Sequence, residues 1–172
     1  MFRNTGIYKT SIITKSGMNE TLTTTVPEGL EAVLESIGIS AGDFPLEKPE
    51  LSDQELESIL NKLNISPEKF DADSLVSVGD VFIYRKKYII GTGVYSGRGC
   101  IASGSGKILI YLLANISEEV KRERLIEITD CRKDTVNQYI SELKWQLNRS
   151  SNFFKMHTPY NGPTVTLNRY KE

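Results

Sequence analysis

The stretch Lys133-Asp134-Thr135-Val136-Asn137-Gln138-Tyr139-Ile140-Ser141-Glu142-Leu143-Lys144-Trp145-Gln146-Leu147-Asn148 decides the fold, together with the hairpin that follows it over residues 153–167. On a helical wheel Ile140, Leu143 and Leu147 fall within about 40° of Val136, which makes one narrow apolar stripe. The opposite side carries Asn137, Gln138, Ser141 and Trp145 rather than the Glu/Lys pairs of a solubilising face. Asn and Gln each combine a donor and an acceptor at one tip. Beyond the helix come Phe153-Phe154-Lys155-Met156, a turn through Pro159-Tyr160-Asn161-Gly162-Pro163, and Thr164-Val165-Thr166-Leu167. Asn-Gly between two β-prone runs is a strong hairpin signal.

Two helices precede this one. The first starts near Ser105 and buries Ile108, Leu109, Leu112 and Leu113, and Asn115-Ile116-Ser117 ends it. The second is expected over about Glu118 to Thr129, with Val120, Leu125 and Ile128 inward and Lys121, Arg122 and Arg124 outward. These three cations form either a solvated face or a grip on phosphates. Before them, Val81-Phe82-Ile83-Tyr84, Lys87-Tyr88-Ile89-Ile90 and Gly99-Cys100-Ile101-Ala102 read as strands. A small sheet, three helices and a terminal hairpin give an α+β fold with the element order of a winged helix-turn-helix.

The first 80 residues differ in character. They carry 6 Lys and Arg against 14 Asp and Glu, a balance of −8, whereas residues 81–172 carry 15 against 8, a balance of +7. The formal charge of −1 conceals this split. A basic half suits a polyanion. In the acidic half Ile7-Tyr8, Ser11 to Thr14 and Thr21 to Val26 are β-prone, with a turn over Lys15 to Glu20. Pro27 stands where a first helical residue would, and Leu30, Val33, Leu34 and Ile37 follow at helical spacing up to Gly38. Ser52 and Glu55 form a capping box ahead of Leu56, Ile59, Leu60 and Leu63. Asp71-Ala72-Asp73-Ser74 is the expected joint. It divides a small N-terminal α/β module, 1–74, from a C-terminal unit, 75–172. The apolar faces of the two N-terminal helices either form a small core with the strands or dock on a second copy or a partner protein.

Several chemistries fit poorly. His157 is the single histidine, and Cys100 and Cys131 lack metal-type spacing, so a metal site is not expected. The glycines of residues 91–106 fail both phosphate-loop patterns. Ile101 stands where a Walker loop needs glycine, Ile108 follows Lys107, and Gly91 and Gly93 lead to Ser96. Tight turns account for them better. No cofactor and no enzymatic activity are expected. No apolar run reaches the roughly 18–20 residues that span a bilayer, and Met1 to Gly6 has no signal-peptide pattern, so the expectation is a cytoplasmic protein.

Residues from about 80 to 168 resemble the C-terminal DNA-binding domain of OmpR/ToxR-type regulators. The resemblance rests on the preceding sheet, Leu112-Leu113, Arg122-Glu123-Arg124-Leu125, and the run from Thr135 to Lys144 with its aliphatic, Ile, Leu and basic positions. It implies that the third helix enters the major groove of double-stranded DNA and that the hairpin is the wing. Asn137, Gln138, Ser141 and Glu142 then face the groove. Lys133, Thr135, Tyr139 and Lys144 lie near phosphates, and His157, Thr158, Tyr160 and Asn161 lie in the wing. The chain departs from the family in two places. Ser141 and Glu142 are not basic, and the wing reads Asn161-Gly162-Pro163-Thr164 instead of Gly-x-Gly-Tyr. Residues 1–80 do not resemble a phospho-receiver domain. The expected function is sequence-specific DNA binding by a transcription regulator, as a dimer or on tandem sites. A protein-interaction adaptor built on the same fold is the alternative. Trp145 packs on the wing or the N-terminal half, touches DNA backbone, or lies in a dimer contact.

Overall fold

The computed structural model describes residues 7–13, 19–159 and 162–170, with side chains from Val26 onward. Two strands, β1 (Ile7–Ile13) and β2 (Asn19–Thr25), pair antiparallel from Ile7↔Thr25 to Ile13↔Asn19. The expected turn between them lies largely outside the described residues. Helix α1 (Leu30–Ser36) begins later than Pro27 would suggest. Gly29 takes φ 85, a left-handed turn that glycine adopts without steric cost, and Leu30 N–H donates to Pro27 O. The helix ends on Gly38, φ 74, where Ile39 N–H reaches Leu34 O and Gly38 N–H reaches Glu35 O. That is a Schellman closure.

Helix α2 (Asp53–Lys62) carries the expected capping box. Glu55 N–H donates to Ser52 Oγ, while the Ser52 N–H and hydroxyl both donate to Glu55 Oε2 at 3.0 and 2.7 Å. Its last carbonyls are met from outside the helix: Lys87 Nζ donates to Leu63 O and Arg98 Nη1 to Lys62 O. The Ser52 hydroxyl, and after it the Ser52 amide, hold the Glu55 carboxyl below its ordinary range. A depressed folded value means that the cap stabilises above the ordinary glutamate range and is lost as pH falls through the lowered value. Carboxyl NMR should therefore find Glu55 titrating below the same glutamate in an unfolded peptide. Ser52→Ala should shrink the difference to what the remaining backbone N–H of residue 52 supplies.

Four strands follow in an antiparallel sheet: β3 (Leu75–Val78), β4 (Val81–Tyr84), β5 (Lys87–Ile90) and β6 (Gly97–Cys100). Strand β3 was not expected, and β6 starts two residues earlier than Gly99. Past β6, Ile101 turns inward and its N–H donates to Lys86 O. Alternation splits the sheet cleanly. Val76, Val78, Val81, Ile83, Tyr88 and Ile90 join one core with α1 and the C-terminal helices. Leu75, Phe82, Tyr84 and Ile89 join a second core with Ile59 of α2 and Leu63, its C-cap. Side chains from both sides of the turn at Ala72–Ser74 thus share the same two cores, and the apolar faces of α1 and α2 are used within the chain.

The remaining elements are α3 (Gly104–Ala114), β7 (Val120–Lys121), α4 (Arg122–Thr129), α5 (Lys133–Ser150), β8 (Phe154–His157) and β9 (Thr164–Arg169). Strand β9 is central in the sheet order β7-β9-β8. Helix α4 begins at Arg122 rather than Glu118, because Val120 pairs with Val165 and Lys121 with Thr164. The fold is α+β with antiparallel sheets. No helix among the described residues is long and apolar enough to cross a membrane.

Candidate nucleic-acid interface

Helix α5 buries Val136, Ile140, Leu143 and Leu147, the stripe read from the sequence, and adds Gln146. The opposite side leaves Lys133, Gln138, Ser141, Glu142 and Trp145 exposed. Side-chain bonds lace this helix to the β8–β9 hairpin along its length. Lys144 Nζ donates to Thr158 Oγ1 at 2.8 Å. Asn148 Oδ1 accepts from Met156 N–H at 2.9 Å, and Lys155 Nζ donates to Asn148 O at 2.6 Å. Near its start, Asn137 Oδ1 accepts from Arg122 Nη1 at 2.6 Å, while Arg122 Nε donates to Gly162 O at 2.9 Å.

The expected contact residues divide into three sets. Lys133, Gln138, Ser141 and Glu142 share the exposed face, where the Ser141 hydroxyl donates back to Asn137 O and Glu142 accepts from Gln146 Nε2. Asn137, Lys144 and Thr158 lie half-buried in the helix–hairpin lacing, and His157 is exposed at the end of β8. Thr135 and Tyr139 are half-buried. The Tyr139 ring turns toward α3, close enough that a Cβ on Gly104 would come within 2.9 Å of Cδ2. Tyr160 and Asn161 lie outside the described residues.

Two residues that the sequence did not single out, Tyr95 and Arg149, belong to this surface, and a third, Arg122, has a different role from the one expected. Arg122 read as an outward cation but is the clamp between α4, α5 and the hairpin. Arg149 stacks 3.9 Å over the Tyr95 ring and 5.0 Å over the Trp145 ring. Tyr95 comes from the β5–β6 loop, and it and Trp145 remain 61% and 60% exposed beside Val94 at 93%. Trp145 thus stands largely exposed with the Arg149 guanidinium over its ring. The i,i+4 spacing of Trp145 and Arg149 was visible in the sequence, but the arrival of Tyr95 was not.

The depressions of about 500 and 570 Å3 on this molecule are lined by no residue of α5. No group of three or more metal-ligating side chains occurs among the described residues. The outward face of α5 is polar apart from Trp145. No protein family, curated protein or solved structure matches the chain.

Proposed function

We propose that residues 75–170 form a winged helix-turn-helix unit of the OmpR/ToxR type, and that the chain is a DNA-binding transcription regulator. The observation that carries this reading is the element order. A four-stranded antiparallel sheet leads into α3, β7, α4 and α5, and the β8–β9 hairpin returns to pair with β7. The hairpin is thereby laid beside α5, whose free face is polar. In this reading Lys and Arg supply salt-dependent affinity for phosphates, and α5 supplies base readout. The chain is then a cytoplasmic binding protein without cofactor or enzymatic activity. It acts as a dimer or on tandem sites, since a single unit contacts few base pairs.

The test is fluorescence anisotropy of the full chain with mixed-sequence duplex across a salt series. The expected result is affinity that falls steeply with salt. Lys133→Glu/Lys144→Glu is expected to bind about 100-fold more weakly, with a salt slope smaller by about 2. A folded full chain that ignores duplex at low salt sinks the reading.

One observation favours the adaptor alternative. Trp, Tyr and Arg are the residue types that dominate protein–protein hot spots. The exposed Trp145–Arg149–Tyr95 stack has that composition. If duplex binding fails, this face is the bait for a polypeptide partner.

A further inference from the structure

Asn137 and Gln138 are adjacent on α5, and as residue types both can pair with an adenine edge through an acceptor and a donor. Their surroundings separate them. Arg122 donates three times across the start of α5 and the hairpin turn: from its backbone N–H to Pro163 O at 2.8 Å, from Nε to Gly162 O, and from Nη1 to Asn137 Oδ1. A guanidinium has donors only. The atom that faces it must therefore be the amide oxygen, whichever way the amide is first placed. The bond takes one of that oxygen's two lone pairs and fixes which end of the amide faces the guanidinium. The two N–H groups of Asn137 Nδ2 make no hydrogen bond among the described residues, and Gln138 is exposed with neither end engaged.

We infer that Asn137 reads through its Nδ2 donors and that it selects a base presenting acceptors in the major groove. Guanine, with N7 and O6 side by side, comes first, and thymine O4 second. Adenine ranks below guanine, because it offers N7 alone, and its N6 amino group stands where guanine presents O6. Arg122 is the positioning residue that imposes this polarity, and its bond to Gly162 ties the reader to the hairpin. Gln138 keeps both functions and remains free to read adenine. This inference rests on the DNA-binding reading above.

The experiment is selection of duplexes from a randomised pool by the full chain and its variants. For the native chain, guanine or thymine is expected at the position that Asn137→Ala relaxes, with a preference of about threefold to tenfold, the worth of one or two hydrogen bonds. Asn137→Asp keeps an oxygen for Arg122 but turns the outward group into an acceptor. It should move the preference at that one position to a donor base, cytosine or adenine, without lowering the melting temperature. Arg122→Ala frees the amide and should let adenine in at that position while the rest of the motif stays unchanged. A merely structural role for Arg122 would weaken all positions together. Adenine at the Asn137 position in the native chain, or an unaltered motif in Asn137→Asp, overturns the assignment and leaves DNA binding standing. Failure of the folded native chain to select any duplex overturns the DNA reading and this inference with it.

Discussion

Gly91→Ala is expected to destabilise the protein by about 3–4 kcal/mol, the sum of left-handed backbone strain and overpacking. Gly91 holds φ 71, and its N–H donates to Asp80 O at 2.8 Å. An added Cβ would collide with the carbonyl oxygen of Ser150 and lie 2.9 Å from the Ser150 carbonyl carbon. The obstacle is main chain at the last residue of α5, so no rotamer change relieves it. The whole end of the helix would have to move away from the sheet. In a chain of this size the loss corresponds to a drop of about 10 °C in melting temperature. Gly93→Ala, two residues on, is the internal control. Its Cβ would meet nothing within 4 Å, and its melting temperature should match the parent. Equal effects of the two substitutions would refute the close approach.

Asp80→Ala is expected to cost about 2–3 kcal/mol, because two charge-assisted hydrogen bonds vanish at the same junction. Asp80 Oδ1 accepts from the Ser151 hydroxyl at 2.6 Å, and Oδ2 accepts from Asn152 N–H at 2.7 Å. The buried Ser151 oxygen in turn accepts from Phe153 and Phe154 N–H, at 3.1 and 2.8 Å. The carboxylate thus organises the turn from α5 into β8. Asp80→Asn retains one acceptor and should recover about half of the loss in urea unfolding. Asp80 and Gly91 are hydrogen-bonded neighbours, so their effects should fall short of additive in the double variant.

The readability of this chain followed the range of the interactions. The α3 and α5 stripes, the Ser52–Glu55 capping box and the β8–β9 hairpin depend on neighbours within a few residues, and all were visible as patterns. Strand β7 was not. Two residues are too few for a period, and Ser117-Glu118-Glu119 imitates a helix start, so only the pairing of Val120 with Val165 defines it. Leu75-Val76-Ser77-Val78 lacked alternation because both faces of its sheet are buried. At the α5 surface, residue types pointed to the outward face, but the partners did not follow. The bonds of Arg122 to Asn137 and Gly162 span 15 and 40 residues. Nothing local distinguishes a clamp from a solvated cation.

The two-sided burial of the β3–β6 sheet limits how far the chain can be trimmed. A fragment that begins at Leu75 would leave Phe82, Tyr84 and Ile89 bare on one side and remove Leu30, Leu34 and Phe44 from the other. Apolar surface of that kind favours aggregation. The acidic segment, for all its contrast in charge, is a foundation on which the basic half stands. Deleting it to unmask the basic half would yield inclusion bodies before it revealed any activity, and charge-altering point substitutions in the intact chain are the cleaner way to ask what the acidic residues restrain.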